Sequence, residues 1–61
     1  MYFVARVKRY GDELKIEFKR EYPGNEDIFT EDMSNVYVKK YETEEKAKRD
    51  VKNSDECVVK I

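Results

Sequence analysis

Leu14-Lys15-Ile16-Glu17-Phe18-Lys19 alternates apolar and charged side chains without a break. A period of two puts Leu14, Ile16 and Phe18 on one side of an extended chain and Lys15, Glu17 and Lys19 on the other. That is the pattern of a strand with one covered and one solvated face. Working back from it, Phe3, Ala5 and Val7 share one parity, while Arg6 and Lys8 share the other. Gly11-Asp12-Glu13 joins the two runs, and Gly accepts the positive φ that tight hairpin turns require. The expectation is a hairpin over residues 1–22 whose Phe3/Ala5/Val7 and Leu14/Ile16/Phe18 face carries the core.

Working forward, Pro23-Gly24-Asn25 is turn chemistry. Residues 26–35 read as an irregular loop whose Ile28, Phe29 and Met33 plug the core edge, although Phe29 and Met33 stand at i,i+4, the spacing of one helical turn. Val36-Tyr37-Val38 opens a third strand over 36–41, rich in β-branched and aromatic residues. Thr43 has the character of a helix N-cap, with Glu44 and Glu45 where the macrodipole favours anions and Lys48, Arg49 and Lys52 where it favours cations. Glu44–Lys48 and Glu45–Arg49 are i,i+4 pairs in the favourable orientation. Lys46 stands where a capping box needs Glu or Gln, so the cap is single-sided. Only Ala47 and Val51 form the inward stripe, and such a helix needs the sheet to hold it. Asn53-Ser54-Asp55 ends it, and Cys57-Val58-Val59-Lys60-Ile61 closes the chain as a strand. The order β-β-β-α-β predicts one small α+β domain over residues 1–61: a largely antiparallel four-stranded sheet with one helix packed on one face. The fifteen residues between Tyr41 and Cys57 allow the last strand to run parallel to the third or to return beside the first.

The totals set limits on function. Sixty-one residues at 39% apolar and 44% charged permit only a thin core and a net stability of about a few kcal/mol. A net charge of −1 argues against binding nucleic acid by bulk charge. The charge is uneven, at +2 over residues 1–22, −4 over 23–35 and +1 over 36–61. A lone Cys57 excludes an intrachain disulfide and points to a reducing compartment. Tyr2-Phe3-Val4-Ala5 is too short for a signal-peptide core, and nothing approaches the length of a membrane span. A cytoplasmic protein without membrane contact is expected.

With no His there is no imidazole base or ligand, and one Cys cannot build a thiolate zinc site. Gly11 and Gly24 are isolated, so no phosphate-cradling loop is formed. Carboxylate pairs such as Asp12/Glu13 follow from composition alone. No catalytic residue, metal site or cofactor is expected. Glu26, Asp27, Glu31 and Asp32, beside Asn25, form an acidic loop that could hold a hard cation or meet a basic partner, but the spacing lacks the regular ligands of an EF-hand and a solvated loop is the simpler reading. Cys57 is expected to be a small buried hydrophobe.

Opposite the expected core lie Tyr2, Val4, Arg6, Lys8 and Tyr10, then Lys15, Glu17 and Lys19, with Tyr37, Lys39 and Tyr41 from the third strand. Tyr mixed with Lys and Arg suits a protein–protein surface, base stacking with phosphate contacts, or plain cross-strand packing. The leading expectation is a non-enzymatic small interaction protein of the regulator or inhibitor type that phages and mobile elements encode. It would bind a protein partner, a second copy included, through the open sheet face (Tyr2, Arg6, Lys8, Tyr10, Lys19, Tyr37, Lys39), an edge strand or the acidic loop. The alternative is a weak single-stranded nucleic-acid binder that uses the same Tyr, Lys and Arg residues.

Overall fold

The computed structural model describes residues 1–21 and 29–61. Its elements are β1 (Tyr2–Tyr10), β2 (Glu13–Lys19), β3 (Phe29–Thr30), α1 (Glu44–Arg49) and β4 (Glu56–Lys60). They form a four-stranded antiparallel sheet in the order β3-β2-β1-β4 with one short helix, an α+β domain as the sequence predicts. The Pro23-Gly24-Asn25 turn lies outside the described residues.

The hairpin turns over two residues, since Tyr10 pairs with Glu13. Gly11 has φ +62 and no other described residue has a positive φ, the pattern of a type II′ turn, whose first central position demands glycine. Beyond that turn β1 and β2 stay in register to Ala5↔Phe18. There they part. Hydrogen bonds run from Lys39 N–H to the Lys19 carbonyl (3.0 Å) and from Glu21 N–H to the Tyr37 carbonyl (2.7 Å), while Tyr2 and Tyr41 exchange a reciprocal pair at 2.9 and 2.8 Å. The even residues of β1 point their backbone groups towards β2, so residues 37–41 sit in the fork between the diverging strand ends. The expected third strand over 36–41 is therefore not a ladder of its own, and makes only the isolated bridges Arg20↔Val38 and Tyr2↔Tyr41. The third strand of the sheet is instead Phe29–Thr30, inside the segment expected to be a loop.

Threading the fork divides the core. Phe3, Ala5, Phe18 and Val38 cluster on one sheet face, with Met33 and Val59 against them, and the two phenyl rings meet edge to face at 6.2 Å. Val4, Tyr41 and Ala47 cluster on the other, with Tyr2, Val51 and Val58. Both halves of the run Phe3-Val4-Ala5 are thus covered, one by the segment after β3 and one by α1. The expectation of a single covered face fails for this reason. Val7, Leu14 and Ile16, expected in the core, are 52%, 65% and 58% exposed, because the covering segment reaches only the wide end of the hairpin.

The helix follows its signals at the start and stops early. Thr43 is the N-cap, its hydroxyl accepting from Lys46 N–H at 3.3 Å, and Glu44 pairs with Lys48 at 3.2 Å. It ends at Arg49 with Asp50 as C-cap, one turn short of the expected Lys52. Ala47 is fully buried, and its small side chain lets the helix approach Val4. The turn at Asn53–Glu56, closed by Glu56 N–H to the Asn53 carbonyl at 3.1 Å, leads into β4. β4 returns beside β1, antiparallel, which resolves its direction. Among the described residues no helix is long and apolar enough to cross a membrane.

Candidate functional site

The even-numbered face of the hairpin, expected to lie open, is half covered by α1 and half engaged with itself. Arg6 donates to Glu17 (Nε–Oε1, 2.9 Å) and its guanidinium lies 4.0 Å above the Phe29 ring, while Tyr10 donates its hydroxyl to the other Glu17 oxygen at 2.8 Å. Burial pushes the Glu17 carboxyl up, but the Tyr10 and Arg6 hydrogen bonds and the Arg6 charge outweigh it and hold the group below the usual carboxylate range. The same contact raises the Tyr10 hydroxyl.

Lys19, expected on the open face, is buried at 5% exposure. Its ammonium donates to the Asp50 carbonyl at 3.0 Å, neutralising the negative end of α1. Asp50 also accepts from Tyr41 and, at 3.1 Å, from Lys39. The Tyr41 hydrogen bond lowers the Asp50 carboxyl, burial opposes this, and Lys39 adds to the lowering. Burial first, and then Asp50, push the Tyr41 hydroxyl far up. A cavity of about 170 Å³ lined by Lys19, Arg20, Glu21, Lys39, Asp50 and Lys52 borders this network. Tyr2 is half-buried with Lys60 over its ring at 5.7 Å, and Tyr37 is exposed on the covering segment. The predicted binding set therefore does not come together as one open surface: Arg6 and Tyr10 are engaged with Glu17, and Lys19 and Lys39 with Asp50.

Of the acidic-loop set, Glu26 and Asp27 lie outside the described residues. Glu31 pairs with Lys15 at 3.4 Å, and Asp32 accepts from the Ser34 backbone and hydroxyl, which lowers its carboxyl. Among the described residues no group of three or more His, Cys, Asp or Glu could hold a metal ion. Cys57, expected to be buried, is exposed; its odd-face position, opposite Ala5, lies at the outer strand of the sheet.

The sequence pattern does not foretell the exposure of the hairpin-tip face that carries Val7, Leu14 and Ile16. Among the described residues β4 pairs only with Tyr2 to Arg6 and β3 only with Phe18 and Lys19, so residues 7–16 form a two-stranded ribbon. Val7 faces Ile16 across it and Leu14 faces Arg9, which gathers three aliphatic side chains into one exposed row. An exposed apolar row of this kind is a candidate interaction surface. A signal was present: the apolar run Phe3-Val4-Ala5 asks for cover on both faces, leaving too few apolar residues elsewhere to cover the tip as well. Protein-family models, curated proteins and solved structures contain no match to this chain.

Proposed function

We propose that this chain is a non-enzymatic binding module that takes a protein partner on its projecting hairpin, with Val7, Leu14 and Ile16 as the contact row. The observation that carries the reading is the exposure of that row along one face of the two-stranded ribbon. A two-stranded hairpin is marginal alone, and docking on a partner supplies the third layer it lacks. The fit to a regulator or inhibitor rests on the same geometry, a small rigid body offering a protruding element. Nucleic acid is the weaker reading: Arg6 is already stacked on Phe29, and the Tyr10 hydroxyl and Arg6 both serve Glu17.

Leu14→Ser combined with Ile16→Ser tests it. Immobilised wild-type protein is used to recover the partner from extracts of the source cell, and the variant is compared at equal loading after its circular dichroism has been matched. Loss of the same partner by the folded variant, with retention by Lys60→Ala, is the expected result. Undiminished capture by the double variant would remove the ribbon from the binding site.

A further inference from the structure

We infer that two copies of this chain associate edge to edge, β4 pairing antiparallel with β4 of the second copy around a two-fold axis at Val59. The hairpin row takes no part in it. β4 ends the sheet, and among the described residues the only elements it meets are β1 and α1. Met1 and Ile61 exchange hydrogen bonds at 3.0 and 3.2 Å, so Cys57, Val59 and Ile61 point their backbone groups at β1. Glu56, Val58 and Lys60 point theirs outwards. Glu56 N–H is bound to the Asn53 carbonyl at 3.1 Å, whereas among the described residues no backbone bond closes on the outer side of Val58 or Lys60. The register from Tyr2↔Lys60 to Arg6↔Glu56 runs without a bulge, and residues 56–61 hold no proline, so neither of those devices blunts this edge.

The edge is complementary to itself. Opposed residues of a hydrogen-bonded antiparallel pair exchange both N–H and C=O. An axis at Val59 sets Val58 against Lys60 of the second copy and Lys60 against its Val58. Every outward backbone group of these two residues is then bonded in both copies. The same register builds a single row on the odd face, where Val59 meets its own image and Cys57 meets Ile61 of the second copy. All three residue types are apolar, and Ile61 at 66% exposure and the exposed Cys57 both gain cover. On the even face Lys60, which lies over the Tyr2 ring at 5.7 Å, stands opposite Val58 and not opposite its image. Its diagonal neighbours across the seam are one lysine, Lys60, and one glutamate, Glu56, whose effects offset. A foreign strand has to match this pattern of backbone and side chains; a second copy carries it by identity.

The test uses the full chain at rising concentration. Sedimentation equilibrium should show monomer passing to dimer, and amide exchange at Val58 and Lys60 should slow as the dimer forms, with no change at Leu14 or Ile16. Lys60→Pro deletes an N–H that the ladder to β1 does not use, and Lys60→Thr controls for the lost charge. With circular dichroism matched, Lys60→Pro should raise the dimer dissociation constant by about tenfold or more, the effect of losing two net hydrogen bonds, while Lys60→Thr stays near wild type. Val59→Cys combined with Cys57→Ser reads the register. The residues on the axis form a non-hydrogen-bonded pair with Cα atoms about 4.5 Å apart, inside the disulfide range of about 4.4–6.8 Å. Oxidised glutathione should therefore cross-link this variant far faster than wild type, whose Cys57 thiols lie at opposite ends of the seam. Should proline unfold the chain, the cross-link decides. A monomer at the highest soluble concentration, equal dissociation constants for the Pro and Thr variants, or cross-linking no faster than wild type would overturn the edge dimer. So would loss of the dimer in the Leu14/Ile16 double variant with its retention in Lys60→Pro, which would seat the second copy on the hairpin row instead.

Discussion

Phe18 and Ile16 are two residues apart on one face of β2, yet the structure assigns them opposite roles, and replacing each by Ala separates the two. Phe18 is buried against Phe3, Ala5 and Val38, its ring edge-on to Phe3. Deleting a buried Phe side chain costs about 3–5 kcal/mol through lost transfer energy and the cavity left behind. A domain of 61 residues has a total stability of roughly 3–9 kcal/mol. Phe18→Ala should therefore remove most or all of it. Ile16 is 58% exposed, so less than half of the roughly 1.5–3 kcal/mol of full burial is at stake, and Ile16→Ala should cost below about 1 kcal/mol. For a domain this small 1 kcal/mol moves the melting temperature by about 8 °C. Thermal and urea unfolding, followed by circular dichroism, read both variants. Equal destabilisation by the two, or a Phe18→Ala melt within a few degrees of wild type, would refute the division of this face into a covered and a bare half.

Three further outcomes follow from the same contacts. Thr43→Ala should lower stability by about 1 kcal/mol in urea unfolding while Thr43→Asp stays near wild type, because either oxygen can cap the Lys46 amide. Asp50 sits below its unfolded value of about 3.9, so its contribution is complete above that pH and fades as pH falls through the folded value. Asp50→Asn should accordingly cost about 1–3 kcal/mol at neutral pH and flatten the acid limb of the stability profile, and an unchanged acid limb would show that Asp50 does not carry it. Cys57 should react with a thiol reagent in the native protein without added denaturant; protection that disappears only on unfolding would contradict its exposed position.

Local chemistry made the hairpin, the Thr43 cap and the closing strand readable. Gly11 between two alternating runs admits few alternatives, and Thr43-Glu44-Glu45 marks a helix start whatever the helix packs on. The placement of 36–41 was not readable, since Val36-Tyr37-Val38 has the same propensity whether it forms a ladder or fills a fork. Parity alone also misassigned the faces. Val4 shares its side of β1 with Arg6 and Lys8, yet it is fully buried, because cover on each face ends part-way along the strand. Composition points to Tyr and Arg as a binding surface and is silent on the contacts that engage them within the fold, namely Arg6 and Tyr10 on Glu17, with Lys19 on the end of α1. Leu14 and Ile16 share the parity of Phe18, so alternation alone puts them in the core, although they are 65% and 58% exposed.

The passage of residues 37–41 through the fork also bears on how the molecule comes apart. Two small clusters on opposite sides of a thin sheet share no side chain, and such clusters could melt one after the other. Here Val38 belongs to the first and Tyr41 to the second, with only Lys39 and Lys40 between them on a backbone bonded to both strand ends. Withdrawing that backbone opens the seam under both clusters at once, which makes a single cooperative transition the natural mode of unfolding. It also orders assembly. The hairpin pairs locally, from its turn outwards, but its wide end has no partner of its own until the middle of the chain has been drawn through, so closure of the seam is a late step in folding.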